Sequence, residues 1–403
     1  MLHKWVLMLM TVLSSRKERG CRLNAKIDFR EPQPVFIHHG TLLEPTDAAG
    51  NIFMAQGDSI TISCDHFITH PHTINLRTIA TVTCEAGDTF RNDAWLSTPG
   101  QFSLFRCSSP PNHMSQRTNR TCYDGNVIYE VGYKVQNNFY PLYESCFNER
   151  ELYPLYSKYT QKPYNYNFQT RVKRPIFKDD GVYSREFDVP VDWLLSPKEQ
   201  RRRVSELVGR AVDRYIVPGL QELSRGHLAA KTDFVFAFGE RATFHYVNCA
   251  PQWTGFNAGN WNTLEVDLRR HIHESNYSTI IYTGTFGVSQ LLSDAGDLVY
   301  LYLYKDSNNN PVIPVPLYFY KVVYEPKLKK GIAFVGINNP YLTIGEAKKI
   351  FFCQDQCHGS YNVSWLSWHP DSSREGYTFC CTVEDFRKTV PYLPPFKVTG
   401  LLL

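Results

Sequence analysis

A chain of 403 residues is long enough for one large core or for two packed domains. With 14% aromatic and 20% charged residues it reads as a folded globular chain, which excludes extensive disorder. A formal charge of +4 is too near neutrality either to demand a polyanionic partner or to exclude one, so the local distribution of charge has to decide.

The N-terminus carries His3-Lys4, an apolar run over residues 5–13 and then Ser14-Ser15, the order of a signal peptide, which we place at residues 1–20. That run is too short to span a bilayer, and no later segment reads as transmembrane. A buried helix or strand is the alternative, and Arg16-Lys17-Glu18-Arg19 is an untidy cleavage context. Eleven cysteines and sequons at Asn119, Asn276 and Asn362 favour an oxidising route, so the expected location is secreted and extracellular.

Residues 21–150 alternate apolar and polar side chains, as in Ser59-Ile-Thr-Ile-Ser-Cys64, Thr78-Ile-Ala-Thr-Val-Thr-Cys84 and Asn126-Val-Ile-Tyr-Glu-Val131. Period two with β-branched residues predicts strands, and the cysteines among them predict a small β-rich, disulfide-containing domain. Residues 151–403 form the second expected domain. It opens with a stretch over 153–178 in which Tyr153, Tyr156, Tyr159, Tyr164, Tyr166 and Phe168 interleave with Lys158, Lys162, Arg171, Lys173, Arg174 and Lys178. Cations suit phosphates and rings suit bases, so this stretch is a candidate nucleic-acid contact; a tyrosine-rich loop with solvated cations is the alternative.

Ser196-Pro-Lys-Glu199 marks a helix start, with Ser196 as cap, Pro197 in the first turn and Glu199 placed for a capping box. Arg201, Arg202 and Arg203 follow near its N-terminal end, where the macrodipole disfavours cations. Phosphate contact would explain that placement, and so would a solvated face.

The densest collection of reactive side chains lies over residues 224–269. It begins with Ser224-Arg225-Gly226-His227 and continues through an expected strand, Thr243-Phe-His-Tyr-Val-Asn248, and an expected turn, Ala250-Pro-Gln-Trp253, to Asn257 and a helix. Trp261, Leu264, Leu268 and Ile272 give that helix its apolar face. At roughly 100° per residue, Asn257 and Glu265 fall within about 40° of Trp261 on either side. An amide and a carboxylate projecting inwards need partners, and a hydrated metal ion is one solution. Each has an ordinary alternative: an N-cap for Asn257, a salt bridge to Arg269 for Glu265, a satisfied core histidine for His227.

Beyond Ser275, strands are expected at Thr279-Ile-Ile-Tyr-Thr283, over 298–304, over 316–324 and at Gly331-Ile-Ala-Phe-Val335, with a turn at Asp306-Ser-Asn-Asn-Asn-Pro311. Strands outnumbering helices point to an α+β fold.

Taken together, Arg225-Gly226-His227, Asn248, Pro251-Gln252, Asn257, Trp261 and Leu264-Glu265 resemble the DNA/RNA non-specific endonucleases, nucleases of the ββα-metal (His-Me finger) fold. Ile337-Asn-Asn-Pro340 and the cysteine-bearing N-terminal half look like the secreted insect double-stranded ribonucleases. The resemblance implies a ββα-metal finger in a mainly antiparallel sheet flanked by helices. It also implies a sugar-non-specific endonuclease that hydrolyses RNA, double-stranded RNA included, and DNA. Asn257 would be the one direct protein ligand of Mg2+, with Mn2+ as a candidate substitute, and His227 the general base. Glu265 would hold a metal-bound water, Arg225 and Arg269 would contact phosphate, and Asn248 would order the site. Arg174 joins Arg269 as a substrate-binding candidate. A nuclease-fold protein that binds nucleic acid but cuts weakly or not at all is the alternative, against which both His227 and Asn257 are present.

Two positions depart from the pattern. Ser224 stands where the wider family has Asp, at a position that supports the finger, and Phe244 stands where some bacterial members carry a further Asn, which bears on substrate preference. Cys249 falls where an apolar residue would fit and reads as a buried free thiol, leaving ten cysteines for up to five bridges. Cys353, Cys357, His358, Cys380 and Cys381 could instead form a zinc site, although disulfides suit a secreted chain better.

Overall fold

Alternation buries every second side chain of a strand, and the N-terminal strands follow it: Ile60 and Ile62 of Ser59–Ser63 are buried, as are Ala80, Val82 and Cys84 of Ile79–Ala86. In the computed structural model, which describes residues 20–183, 190–358 and 363–403, these two strands pair antiparallel at the centre of a six-stranded sheet. Residues 1–19 of the expected signal segment and the Asn362 sequon lie outside the described residues, whereas Asn119 and Asn276 are both exposed. Phe36, Phe90, Trp95, Phe102 and Phe105 fill the core beneath the sheet.

A second, nine-stranded sheet forms the body of the molecule. Its path runs Met114–Thr121, Val127–Val135, Asn138–Asn148, Tyr153–Gln161, Thr279–Val288, Pro316–Glu325, Lys330–Ile337 and Thr378–Cys381, all antiparallel, with Gly400–Leu401 added in parallel to Lys330–Ile337. The expected division at residue 150 falls between two hydrogen-bonded neighbours of this sheet, so the sheet does not break there. The reason is register: Cys146 pairs with Tyr156 as closely as any residues within one hairpin.

The sheet is apolar on both faces. Phe319, Val323 and Phe334 belong to the layer that holds the segment of residues 223–275, while Tyr320, Val322 and Val335 face a second layer with Phe386 of the helix Val383–Thr389. Among the described residues no helix is long and apolar enough to cross a membrane.

Half of the six rings of the aromatic, basic stretch are core rather than surface. Tyr156 and Tyr159 are buried because Tyr153–Gln161 is a central strand and strand centres demand large apolar faces, and Tyr164 is buried in the 3-10 turn Pro163–Asn167 that follows. The helix Pro197–Val208 starts as expected, with Ser196 Oγ accepting from the Glu199 amide, but the Glu199 carboxylate bonds Arg202 instead of closing a capping box. Arg201 pairs with Asp213, and Arg203 bonds Glu206 and the Tyr302 carbonyl. Internal partners, not phosphate, explain the arginine trio.

Five disulfides form: Cys21–Cys84, Cys64–Cys107, Cys122–Cys146, Cys353–Cys381 and Cys357–Cys380. The zinc alternative therefore fails, since its thiolates are bonded to one another. Cys249 is a buried free thiol, as expected.

The two sheets share an aromatic joint. Phe29 packs on Phe36 and Phe102 from the N-terminal half and on Phe236 from the later half, and Phe236 stacks on Phe238 with centroids 5.4 Å apart. Buried amides reinforce it: Gln33 Nε2 donates to Gln169 Oε1 at 2.9 Å, which also accepts from the Ala237 amide at 2.8 Å. Phe236→Ala should cost about 3–5 kcal/mol, read as a lower denaturant midpoint; a loss below about 1 kcal/mol would contradict a common core.

Candidate active site

The histidine strand, Leu223–His227, pairs antiparallel with Cys249–Trp253, so that Arg225 lies opposite Pro251 and His227 opposite Cys249. The chain thus departs from the expected strand at 243–248 and turn at 250–253. Residues 246–248 form a short 3-10 turn, and the Pro-Gln pair is itself strand. A two-stranded ribbon tolerates proline because only one edge needs amide donors. Asn338, from the Ile337-Asn-Asn-Pro340 element, binds that ribbon to the main sheet: its Oδ1 accepts from the Trp253 amide, and its Nδ2 donates to the carbonyls of Pro251 and Pro316. Gly226 is required here, since a Cβ would come within 2.7 Å of the Gln252 Cβ.

After the ribbon the chain enters Thr254–Phe256, widens into a π-type turn over Asn257–Trp261, and continues as the helix Asn262–Ser275. Gly259 leaves helical geometry at φ −92° and ψ −121°, so the 100° step does not hold across this segment. The wide turn lets Trp261 pack on Phe256 and Phe319 while Asn257, Asn262 and Glu265 line a cleft. Such turns are common at functional sites. Trp253, not Asn257, occupies the N-cap position.

The cleft has a volume of about 870 Å³ and is lined by Arg174, Phe177, Asp192, Ser224, Arg225, His227, Lys231, Phe244, Asn257 and Glu265, among others. Ser224 fixes the direction of Asn257. Its Oγ donates to the Gln252 carbonyl at 2.9 Å and accepts from Asn257 Nδ2 at 3.0 Å. A hydroxyl has one proton, so the amide must turn its NH2 to Ser224. Asn257 Oδ1 is left without a protein partner among the described residues, a hard oxygen donor at the cleft wall.

His227 packs against the rings of Phe177 and Phe244, at centroid distances of 5.1 and 4.8 Å, and those two rings also touch each other. Its ring bonds the backbone of Arg225, while Nε2 is buried and has no partner among the described residues. Burial, followed by the fields of Arg174 and Lys231, lowers its pKa to about 3, so the imidazole is neutral. A satisfied core histidine would not leave that nitrogen bare. Burial raises the Glu265 carboxyl to about 7, against Lys321, the strongest of the cations that pull it down.

The remaining expected residues divide. Arg225 lines the cleft, with Nε donating to Tyr246 Oη at 3.1 Å and its other end paired with Asp192. Arg174 lies over the Phe244 ring, 5.6 Å from its centroid, at the exposed rim. Asn248 is wholly buried and away from the cleft: Oδ1 accepts from Ser157 and the Ala229 amide, and Nδ2 donates to the carbonyls of Ala229 and Thr243. It orders the ribbon and is not in reach of substrate.

Arg269, expected to contact phosphate, is not among the residues that line the cleft. It is only 4% exposed, pairs with Asp233 at 3.2 Å, donates to Thr232 Oγ1 and lies over the Phe168 ring. Among the described residues its ion-pair partner is Asp233, not Glu265. Lys231 and Asp192 line the cleft without having been singled out; Lys231, four residues after His227, could have been found by proximity to the motif, but nothing marks Asp192. Arg269→Met should cost about 3 kcal/mol of stability by stranding Asp233, and should leave the salt dependence of RNA binding unchanged. A shallower salt dependence with unaltered stability would restore the phosphate role.

The chain is similar to known proteins. A family profile described as DNA/RNA non-specific endonuclease matches residues 124–386. The chain is 27% identical over 373 residues to a salivary endonuclease of Lutzomyia longipalpis, covering 91% of this chain and 82% of the relative. It is 30% identical over 177 residues to a salivary endonuclease of Culex quinquefasciatus, covering 41% and 43%. A chain from a crystal structure of an EndoG/EndoGI complex matches at 19% identity and a TM-score of 0.37, over 66% of this chain and 89% of that one. With the profile spanning well over half of its length, the chain belongs to the DNA/RNA non-specific endonuclease family.

Proposed function

We propose that this member of a metal-dependent endonuclease family is secreted, uses Mg2+, and hydrolyses the phosphodiester bonds of RNA, double-stranded RNA included, and of DNA with little sequence preference. The observation that carries the proposal is that the bare Nε2 of His227 and the unpartnered Oδ1 of Asn257 belong to one cleft. An oxygen ligand of this kind, with the Glu265 carboxylate nearby to bind an aquo ion by its waters, fits Mg2+ and also Mn2+. When bound, the ion supplies positive charge that stabilises the crowded phosphate and the leaving oxygen.

The chain's own residues do the rest. His227, held neutral and oriented by its bond to the Arg225 backbone, takes a proton from the attacking water at Nε2. An incoming phosphodiester offsets the fields of Arg174 and Lys231 that depress the imidazole, which restores part of its basicity. Arg225 and Arg174 hold phosphate oxygens and stabilise the extra charge of the transition state. Phe177 and Phe244 exclude bulk water from the His227 ring. Phosphate-centred recognition is indifferent to base identity, which supports broad substrate use. Five disulfides, exposed sequons at Asn119 and Asn276, and salivary relatives support secretion.

The test is cleavage of supercoiled DNA, single-stranded RNA and duplex RNA with and without Mg2+. All three should be cut, and a chelator should stop turnover. His227→Ala should lower cleavage by about 10²- to 10⁴-fold while RNA binding persists. Undiminished cleavage by that variant, or by the chelated enzyme, would sink the mechanism.

A further inference from the structure

Three cations line the cleft, and they are not equivalent. Arg225 is already engaged by Asp192 and Tyr246, and Arg174 lies at the exposed rim. Lys231 is set deeper: its side chain is 18% exposed and its ammonium lies 2.9 Å from the carboxylate of Glu240, which is 0% exposed. Glu240 projects from the helix Ala237–Ala242, directly after Phe236 and around Phe238, in the segment that the N-terminal half grips.

A carboxylate this dry needs a counter-ion, so the lysine is held in place rather than free to roam. Burial pushes the Glu240 carboxyl up to about 7, with Lys231 the leading influence holding it down. Among the described residues Glu240 is the one acid at ion-pair distance from Lys231. An ammonium carries three donors, and Glu240 occupies one direction only, so the remaining protons are available to the cleft. Lys231 also stands near the base, since its field and that of Arg174 both bear on His227.

We propose that Lys231, anchored on Glu240, is a further substrate-binding residue that holds a non-bridging oxygen of the scissile phosphodiester. The proposal rests on the reading of this cleft given above. Glu240 shares its helix with Phe238 of the aromatic joint, and Gln33 bonds the Phe238 amide, so the N-terminal half takes part in placing this cation. Contact with phosphate alone makes its contribution equal for RNA and DNA.

The experiment is steady-state cleavage of duplex RNA and duplex DNA by the full-length, Mg2+-loaded protein across a salt series. Lys231→Met should lower kcat/KM about 10²-fold on both substrates and make the salt dependence shallower by about one unit of slope, while Lys231→Arg keeps most of the activity. Lys231→Met also strands Glu240 and lowers the melting temperature. The double variant Lys231→Met/Glu240→Gln removes both charges and should regain stability yet remain slow and shallow in salt. A stable double variant with kcat/KM within about twofold of the parent and an unchanged slope would overturn the proposal and leave the pair a purely structural one. Activity surviving in His227→Ala would instead overturn the assignment of the base, and the lysine result would stay readable because the salt slope does not depend on which group takes the proton.

Discussion

A carboxylate sealed from water costs several kcal/mol unless it is matched, and the way Asp233 is matched ties the site together. Its Oδ1 accepts from Arg269 of the helix Asn262–Ser275 and from Gln161 of the central strand, and its Oδ2 accepts from Tyr159 of that strand. Arg269 also reaches Thr232, the residue before Asp233. Lys321, 1% exposed, donates to Tyr159 and Thr283 and is drawn by the charges of Asp233 and Glu265. The loop that leaves the histidine strand, the helix that carries Glu265 and the middle of the nine-stranded sheet are thereby fixed to one another. His227 and Asn257 come from separate elements, and this tie, together with the Asn257–Ser224 bond, keeps them on one cleft.

The same network explains why the cleft can be both polar and rigid. Asn248 spends all of its hydrogen-bonding capacity on the ribbon and the sheet, and Asn338 adds three bonds from the other side. Ser224, a shorter side chain than the Asp of the wider family, still aims Asn257 through its single hydroxyl. The Asn248 and Asn338 amides are bonded within the protein, whereas His227 Nε2 and Asn257 Oδ1, the two atoms proposed to act on water and metal, are without a partner among the described residues.

Much of this was legible from residue order. The alternating segments became strands, the Ser196 cap began its helix, the free thiol at Cys249 stayed buried, and the motif around His227 led to the cleft. What escaped was set by tertiary contact. Pro251 and Gln252 look like a turn but serve as strand because a single partner and the Asn338 side chain satisfy them. Asn257 and Glu265 share a wall through a widened turn at Gly259, which no 3.6-residue period anticipates. Arg269 sits one helical turn from Glu265, yet a buried acid elsewhere claims it. The aromatic, basic stretch lost Tyr156, Tyr159 and Tyr164 to the core and keeps at the cleft only Arg174 and its immediate neighbours. That one sheet runs across residue 150 was not legible, because strand alternation looks the same in either sheet.

The central claim is that the Nε2 of His227 removes the proton from the attacking water. Chemical rescue addresses it most directly: His227→Gly opens a cavity beside Phe177 and Phe244, and added imidazole can occupy it. Plasmid cleavage by that variant should be lost and then return, saturably, as imidazole is added with Mg2+ present. A variant that cuts as fast as the parent without imidazole, or one that binds nucleic acid normally and shows no rescue by imidazole or its methylated analogues, would contradict the account.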